Sequence, residues 1–323
     1  MQKSTVSSPS TQVWSILGAG AIGGLWACCA QRSGCTTELI FRDQSSLAAY
    51  REHGGIAFTA NEQTELLNIP ACCPQALVQP IQQLLITTKA QQTLTALHAI
   101  KDHVQPDAIM VLLQNGLGIA EQVQAQFPQA LVLQASTTEG AYRPKPFSLV
   151  HAGRGQTLIG AAVLPTNIKD PSQQLTDIAK SLSYAPLSVT VSENIEAVLW
   201  RKLAINCAIN PLSVIHRCRN GELLNKPEAM TQIATVVDEI LALSKALHLD
   251  DNLADLHQQV LEVARATANN RSSMLQDIES GRETEIEAIT GHLCRLAAKQ
   301  GLSLPCNQQL LDEVRRISTQ NRS

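Results

Sequence analysis

An α/β unit followed by an all-helical unit is the architecture that this sequence of 323 residues predicts, and three observations predict it. A short apolar segment, residues 13–17, runs directly into Gly18-Ala19-Gly20-Ala21-Ile22-Gly23 and an Ala-rich stretch. Aliphatic runs of strand length then recur as far as residue 191. From Glu193 apolar residues repeat at three or four, as at Ile195, Leu199 and Leu203 and again at Ile286, Ile289, Leu293 and Leu296. That change of period sets two domains, residues 12–192 and 193–323.

Residues 1–11 are polar and rich in Ser and Thr, which predicts a frayed tail. Residues 13–17 read as a strand, and the glycine motif opens a helix that ends near Gly34. Residues 13–30 carry no charge over nearly the length of a membrane span, but glycines at motif spacing point to a turn and a helix start. Gly18 suits the tight turn, Gly20 lets a pyrophosphate approach the backbone, and Gly23 lets the helix pack on the strand. With the helix N-terminus facing the anion, and a second strand at residues 37–41, this is a Rossmann-type dinucleotide-binding start. The second strand ends in Phe41-Arg42-Asp43: an arginine there can grip the extra phosphate of NADP, whereas an acid would take the ribose hydroxyls of NAD. Arg42 comes first and favours NADP.

Residues 84–88 and 109–113 read as further strands, delivering Lys89 and Gln114-Asn115-Gly116 at their carboxyl ends, where ligands of such sheets bind. Residues 131–135 read as another strand, and 148–160 as a hairpin whose glycines mark tight turns or a close backbone approach. His151 within it reads as a packing histidine, since nothing sequential pairs it with a nucleophile. A polar loop at 167–174, a helix to Ser183 and a short strand at 187–191 close this domain.

In the helical half, residues 199–211 (LWRKLAINCAINP) set a cation and two amides into a segment that otherwise reads as buried helix. If that helix runs to Pro211, Lys202, Asn206 and Asn210 follow at steps of four and share one slowly drifting stripe. Lys202 is then either an amphipathic lysine whose ammonium reaches water or a partly desolvated proton donor facing a pocket. Further on, Asn269-Asn270-Arg271-Ser272-Ser273-Met274 precedes a short helical segment, and Thr284-Glu285 opens the next long helix, to Lys299. Local capping accounts for both: a serine caps the first helix, and a first-turn glutamate suits the positive end of the second.

Composition narrows the function classes. Apolar residues make up 44% of the chain and aromatics 3%, so the cores are aliphatic; the net charge of −3, with no basic tract interleaved with aromatics, argues against a nucleic-acid partner. Nine cysteines, with adjacent pairs at Cys28-Cys29 and Cys72-Cys73 and no metal-ligand spacing, suit a reduced cytoplasmic chain.

Taken together, GAGAIGG, the arginine after the second strand, TTKA at 87–90, QNGLG at 114–118, TTEGA at 137–141, LWRKLAINCAINPL at 199–212, NGEL at 220–223, SSMLQDI and TEIE resemble the ketopantoate reductase (2-dehydropantoate 2-reductase) family. The resemblance covers residues 13–305. It implies NADPH-dependent reduction of 2-dehydropantoate to (R)-pantoate, a step toward pantothenate and coenzyme A, by a cytoplasmic monomer or homodimer with no nucleic-acid or membrane partner. By matching motif it makes Lys202 the general acid and Glu285 its active-site partner. Asn206, Asn210, Asn270 and Ser273 would hold the substrate. Gly18, Ala19, Gly20, Ala21, Ile22, Gly23, Arg42, Lys89, Gln92 and Asn115 would hold the cofactor. Thr290, Arg271 and Gln91 depart from the family pattern, and Arg271 sets a second cation beside the substrate block. The competing readings are another NADPH-linked 2-oxo or beta-hydroxy acid dehydrogenase and a non-catalytic NADP(H) sensor.

Overall fold

Residues 13–161, 171–249 and 253–321 are described by a computed structural model. The tail expected over residues 1–11 and the first part of the loop expected over 167–174 lie outside them; from Pro171 that stretch is already helix. The chain divides into two compact units. One gathers the strands; the other gathers the helices from Ser192 onward together with two short earlier segments, Lys89–Gln92 and Gln114–Gln122.

In chain order the strands are β1 (Trp14–Leu17), β2 (Thr37–Ile40), β3 (Ile56–Ala60), β4 (Gln63–Leu67), β5 (Ala71–Cys72), β6 (Ile81–Ile86), β7 (Val104–Leu112), β8 (Leu131–Thr137), β9 (Gly140–Tyr142), β10 (Ser148–Gly153), β11 (Thr157–Gly160) and β12 (Val189–Val191). Eight form a sheet in the order β12-β11-β8-β7-β6-β1-β2-β5, parallel throughout except where β11 runs against β8. A smaller sheet has the order β4-β3-β10-β9. Helices α1 (Ala21–Arg32), α2 (Gln44–His53), α3 (Ala90–Ile100), α4 (Ala120–Gln126) and α5 (Pro171–Ser181) connect these strands. β1 (Trp14–Leu17) is buried throughout and β6 nearly so, without the alternation of buried and exposed residues that a one-sided sheet shows. Cys28 and Cys29 are fully buried on α1, where they serve as small apolar residues, and burial pushes the Cys29 thiol up to about 12.

The hairpin expected over 148–160 does not form. β10 pairs with β3 and β9, whereas β11 pairs with β8 and β12, so the chain passes from the small sheet to the large one between them. Of the two readings of its glycines, the close backbone approach holds at Gly155, where a Cβ would stand 2.3 Å from the Thr138 carbonyl carbon. Beside this crossing His151 Nε2 and Glu139 Oε2 lie 2.7 Å apart, both side chains almost wholly buried.

The helical unit comprises α6 (Ile195–Ile215), α7 (Pro227–Ala246), α8 (Leu256–Ala266), α9 (Ser273–Glu279), α10 (His292–Lys299) and α11 (Pro305–Gln320). The Asn194 side chain caps α6 by accepting from the Ala197 N–H at 3.0 Å. The helix does not stop at Pro211 but runs four residues beyond it. A proline there leaves the Cys207 carbonyl without its helical donor; the helix persists because it is apolar nearly all round and packs on α7, α8, α9 and α11. The helix expected from Glu285 is also altered. It starts as a π turn over Glu287–Gly291, with the Gly291 N–H bonded to the Ile286 carbonyl at 2.9 Å, and becomes α-helical at His292. Glu285 therefore stands just ahead of the helix rather than inside its first turn, in a setting where π turns often mark functional sites.

Candidate active site

In the α/β unit the glycine motif forms a cradle at the end of β1. Gly18 has φ +110°, a left-handed conformation that a side chain would strain. A Cβ at Gly23 would lie 2.0 Å from the Gly18 carbonyl oxygen, so only glycine lets α1 begin this close to the strand. At Gly20 a Cβ would meet nothing within 4 Å. The space there is open, and it lies at the N-cap of α1, which has no side-chain cap, so the first N–H groups of Ala21 and Ile22 are presented to a ligand. A dinucleotide pyrophosphate fits this cradle.

Arg42 stands two residues beyond the end of β2 with its side chain 86% exposed, and its Nε lies 2.7 Å from Asp43 Oδ2. Asp43 has a task of its own. Its other oxygen caps α2 by accepting from the Ser46 N–H at 2.7 Å, and that bond, reinforced by Arg42, holds its carboxyl below the usual range. With Asp43 committed to the cap, Arg42 is the side chain left to meet a ribose phosphate, while Gln92 lies exposed near the start of α3.

The helical unit holds the polar cluster. Lys202 sits on α6 and keeps part of its surface in solvent, yet burial pulls its pKa from 10.5 to about 8 against the opposing pull of Glu285. Burial also raises the Glu285 carboxyl, opposed by a 3.0 Å bond from Asn115 Nδ2, by Lys89 and by the Ala90 N–H. Lys89 Nζ bonds Asp277 at 2.7 Å and the Glu283 carbonyl, and Asp277 also accepts from Arg282 Nε at 2.9 Å. So Lys202, Glu285, Asn115 and Lys89, from four separate sequence motifs, come together in one cluster. Asp277, which orders Lys89, escaped the reading of the sequence; an acid on the apolar face of SSMLQDI was the available signal.

Backbone geometry holds the cluster in place. Gly116 and Gly118 have φ +94° and +82°, and Cβ atoms on them would lie 2.8 Å from the Ala288 carbonyl oxygen and 2.6 Å from His292 Cε1. The QNGLG loop thus packs directly on the π turn that follows Glu285. Asn206 is half-buried and Asn210 buried along the Lys202 stripe. Asn270 and Ser273 are exposed, and the Asn270 carbonyl accepts from the Asn220 N–H of NGEL at 3.0 Å. Buried Ser272, not Ser273, caps α9, accepting from the Leu275 N–H at 3.0 Å. The departures from the family pattern have local partners. Arg271 pairs with Glu279 at 2.8 Å, Gln91 Nε2 donates to the Thr284 carbonyl at 3.1 Å, and Thr290 is buried against Cys207.

A glycine cradle on a parallel sheet, and a helical unit bearing a lysine with a coupled carboxylate, define the nicotinamide-nucleotide-linked dehydrogenase class. The comparisons narrow it. The family model described as "Ketopantoate reductase PanE/ApbA" matches residues 14–163, and its C-terminal counterpart matches 194–318. The chain belongs to the ketopantoate reductase family. It is 33% identical to the 2-dehydropantoate 2-reductase of Vibrio cholerae serotype O1, covering 94% of this chain and 96% of the relative. It is 32% identical to that of Escherichia coli O157:H7, covering 93% of each. Among solved structures, the PanE/ApbA family ketopantoate reductase from Ralstonia eutropha JMP134 superposes with a TM-score of 0.83 at 26% identity, covering 96% of this chain and 99% of that one. A D-mandelate dehydrogenase in complex with NADH and anilino(oxo)acetate superposes at 0.88 with the same coverage; at 22% identity that likeness shows the fold.

Proposed function

We propose that this chain catalyses the NADPH-dependent reduction of 2-dehydropantoate to (R)-pantoate, with residues 12–192 as the NADP-binding domain and 193–323 as the substrate and catalytic domain. The observation that carries the reading is a half-buried amine on a rigid helix, with a pKa near 8, coupled to the Glu285 carboxylate. Bound NADPH supplies the hydride that reaches the ketone carbon. Lys202 gives its proton to the ketone oxygen as negative charge grows there, and the remaining amine recovers a proton from solvent. Glu285, steadied by Asn115, keeps the ammonium charged and accepts from the substrate hydroxyl. Asn206, Asn210, Asn270 and Ser273 bind the substrate, with Ser273 near its carboxylate; Gly18 to Gly23, Arg42, Lys89, Gln92 and Asn115 bind the cofactor.

We place the protein in the cytoplasm as a monomer or homodimer. All nine cysteines are free thiols, and no helix among the described residues is long and apolar enough to cross a membrane. A ketopantoate reductase from Staphylococcus aureus, 19% identical, is described as dimeric. NADPH oxidation measured across a panel of 2-oxo acids tests the substrate assignment: 2-dehydropantoate should give the highest kcat/KM. A higher value for another 2-oxo acid would sink it, and no turnover with any would leave the chain a sensor.

A further inference from the structure

Arg143 follows β9 on the surface of the α/β unit, and its Nη1 donates a 3.1 Å hydrogen bond to the Ala19 carbonyl. Ala19 lies between the first two glycines of the cradle, so this guanidinium is fastened to the loop itself. With Ala19, Gly20, Phe41 and Phe147 it lines a shallow pocket beside the start of α1. The motif from Gly18 to Gly24 carries no charged side chain, so the cradle by itself offers a pyrophosphate only amide dipoles.

We propose that Arg143 is a cofactor-positioning residue whose guanidinium grips the pyrophosphate of the bound dinucleotide, leaving the 2′-phosphate to Arg42. The assignment to the pyrophosphate follows from place: Ala19 belongs to the turn that a pyrophosphate approaches, whereas Arg42 follows the end of the strand that addresses the ribose. The chemistry suits it. A guanidinium presents five donors in a planar fork, enough to serve a carbonyl and a phosphate oxygen together. Anchoring on Ala19 also removes rotamer freedom before the ligand arrives, which lowers the cost of binding.

The inference rests on reading the glycine loop as the dinucleotide site, and the test separates the two. Wild type, Arg143→Ala, Arg143→Gln and Arg42→Ala are titrated with NADPH and with NADH by fluorescence, with melts in the absence of nucleotide to establish folding. Both Arg143 variants should weaken NADPH and NADH by the same factor, about tenfold or more, as loss of a charge-assisted contact implies. Arg42→Ala should weaken NADPH far more than NADH. Gln removes the charge and keeps only a shorter amide donor, so wild-type affinity in Arg143→Gln would show that the guanidinium charge does not hold the pyrophosphate and would overturn the proposal. A loss confined to NADPH, or no loss in either variant, would overturn it equally. Wild type binding neither nucleotide would instead overturn the cofactor reading, and the proposal with it.

Discussion

As the proposed proton donor, Lys202 combines two demands that oppose each other, since a proton donor must be charged and burial disfavours charge. Glu285 reconciles them by opposing the downward shift, which leaves the amine protonated at neutrality but ready to release its proton. Lys202→Ala should lower kcat roughly a hundred- to ten-thousand-fold while NADPH affinity stays near wild type, as stopped-flow turnover and titration would report. A general acid works protonated, so kcat/KM for reduction should fall as pH rises through about 8. The stability effect has its own sign. Between about 8 and 10.5 the folded chain binds fewer protons at Lys202 than the unfolded chain does, so the cost of burying the ammonium is fully felt below about 8 and is relieved above it. The difference in melting temperature between Lys202→Met and wild type should therefore move in favour of wild type as pH rises through that window. At this scale the motifs singled out Lys202 and Glu285, and the structure couples the two. It could not reveal that Lys89 is held by Asp277, because that pairing joins residues 188 apart.

Strand β1, the glycine turn and α1 were legible because three local signals agree: an apolar run, glycine spacing and an Ala-rich helix. The second and third glycines of the motif have different tasks, and a pair of variants separates them. Gly23→Ala would drive a Cβ to within 2.0 Å of the Gly18 carbonyl oxygen, so it should destabilise the α/β unit by about 1–3 kcal/mol or more in denaturant melts. Gly20→Ala meets nothing within 4 Å and has an ordinary φ of −82°, so its melt should match wild type while NADPH affinity falls. A normal affinity in Gly20→Ala would show that no phosphate approaches there. Legibility failed where the same residue type served another end. Gly155, between β10 and β11, permits a close pass rather than a turn, and no local pattern distinguishes the two. Nor does the period of three or four around Ile286 and Ile289 reveal an added residue in the π turn.

Each unit has its own apolar core, centred on residues such as Trp14, Trp26 and Leu85 in one and Leu212, Ile240 and Leu293 in the other. The change of hydrophobic period was visible in the sequence. That Lys89–Gln92 and Gln114–Gln122 group with the helices was not, because long-range bonds to Asp277, Thr284 and Glu285 decide it. NADPH at about a hundredfold excess over its Kd should add about 2.7 kcal/mol to the unit that binds it. Calorimetry should show the corresponding transition rising with NADPH, and Gly20→Ala should abolish most of that rise.

The small sheet is assembled from distant stretches of chain, since β3 pairs with β10 and Arg143 reaches an Ala19 that lies 124 residues earlier. On the ribosome, α1 can close onto β1 as soon as the first strands emerge, whereas the arginine arrives only after β9 has been made. If Arg143 grips the pyrophosphate as proposed, the glycine turn of a nascent chain lacks that cation until β9 has been made, so full nucleotide affinity comes late in the translation of the first unit.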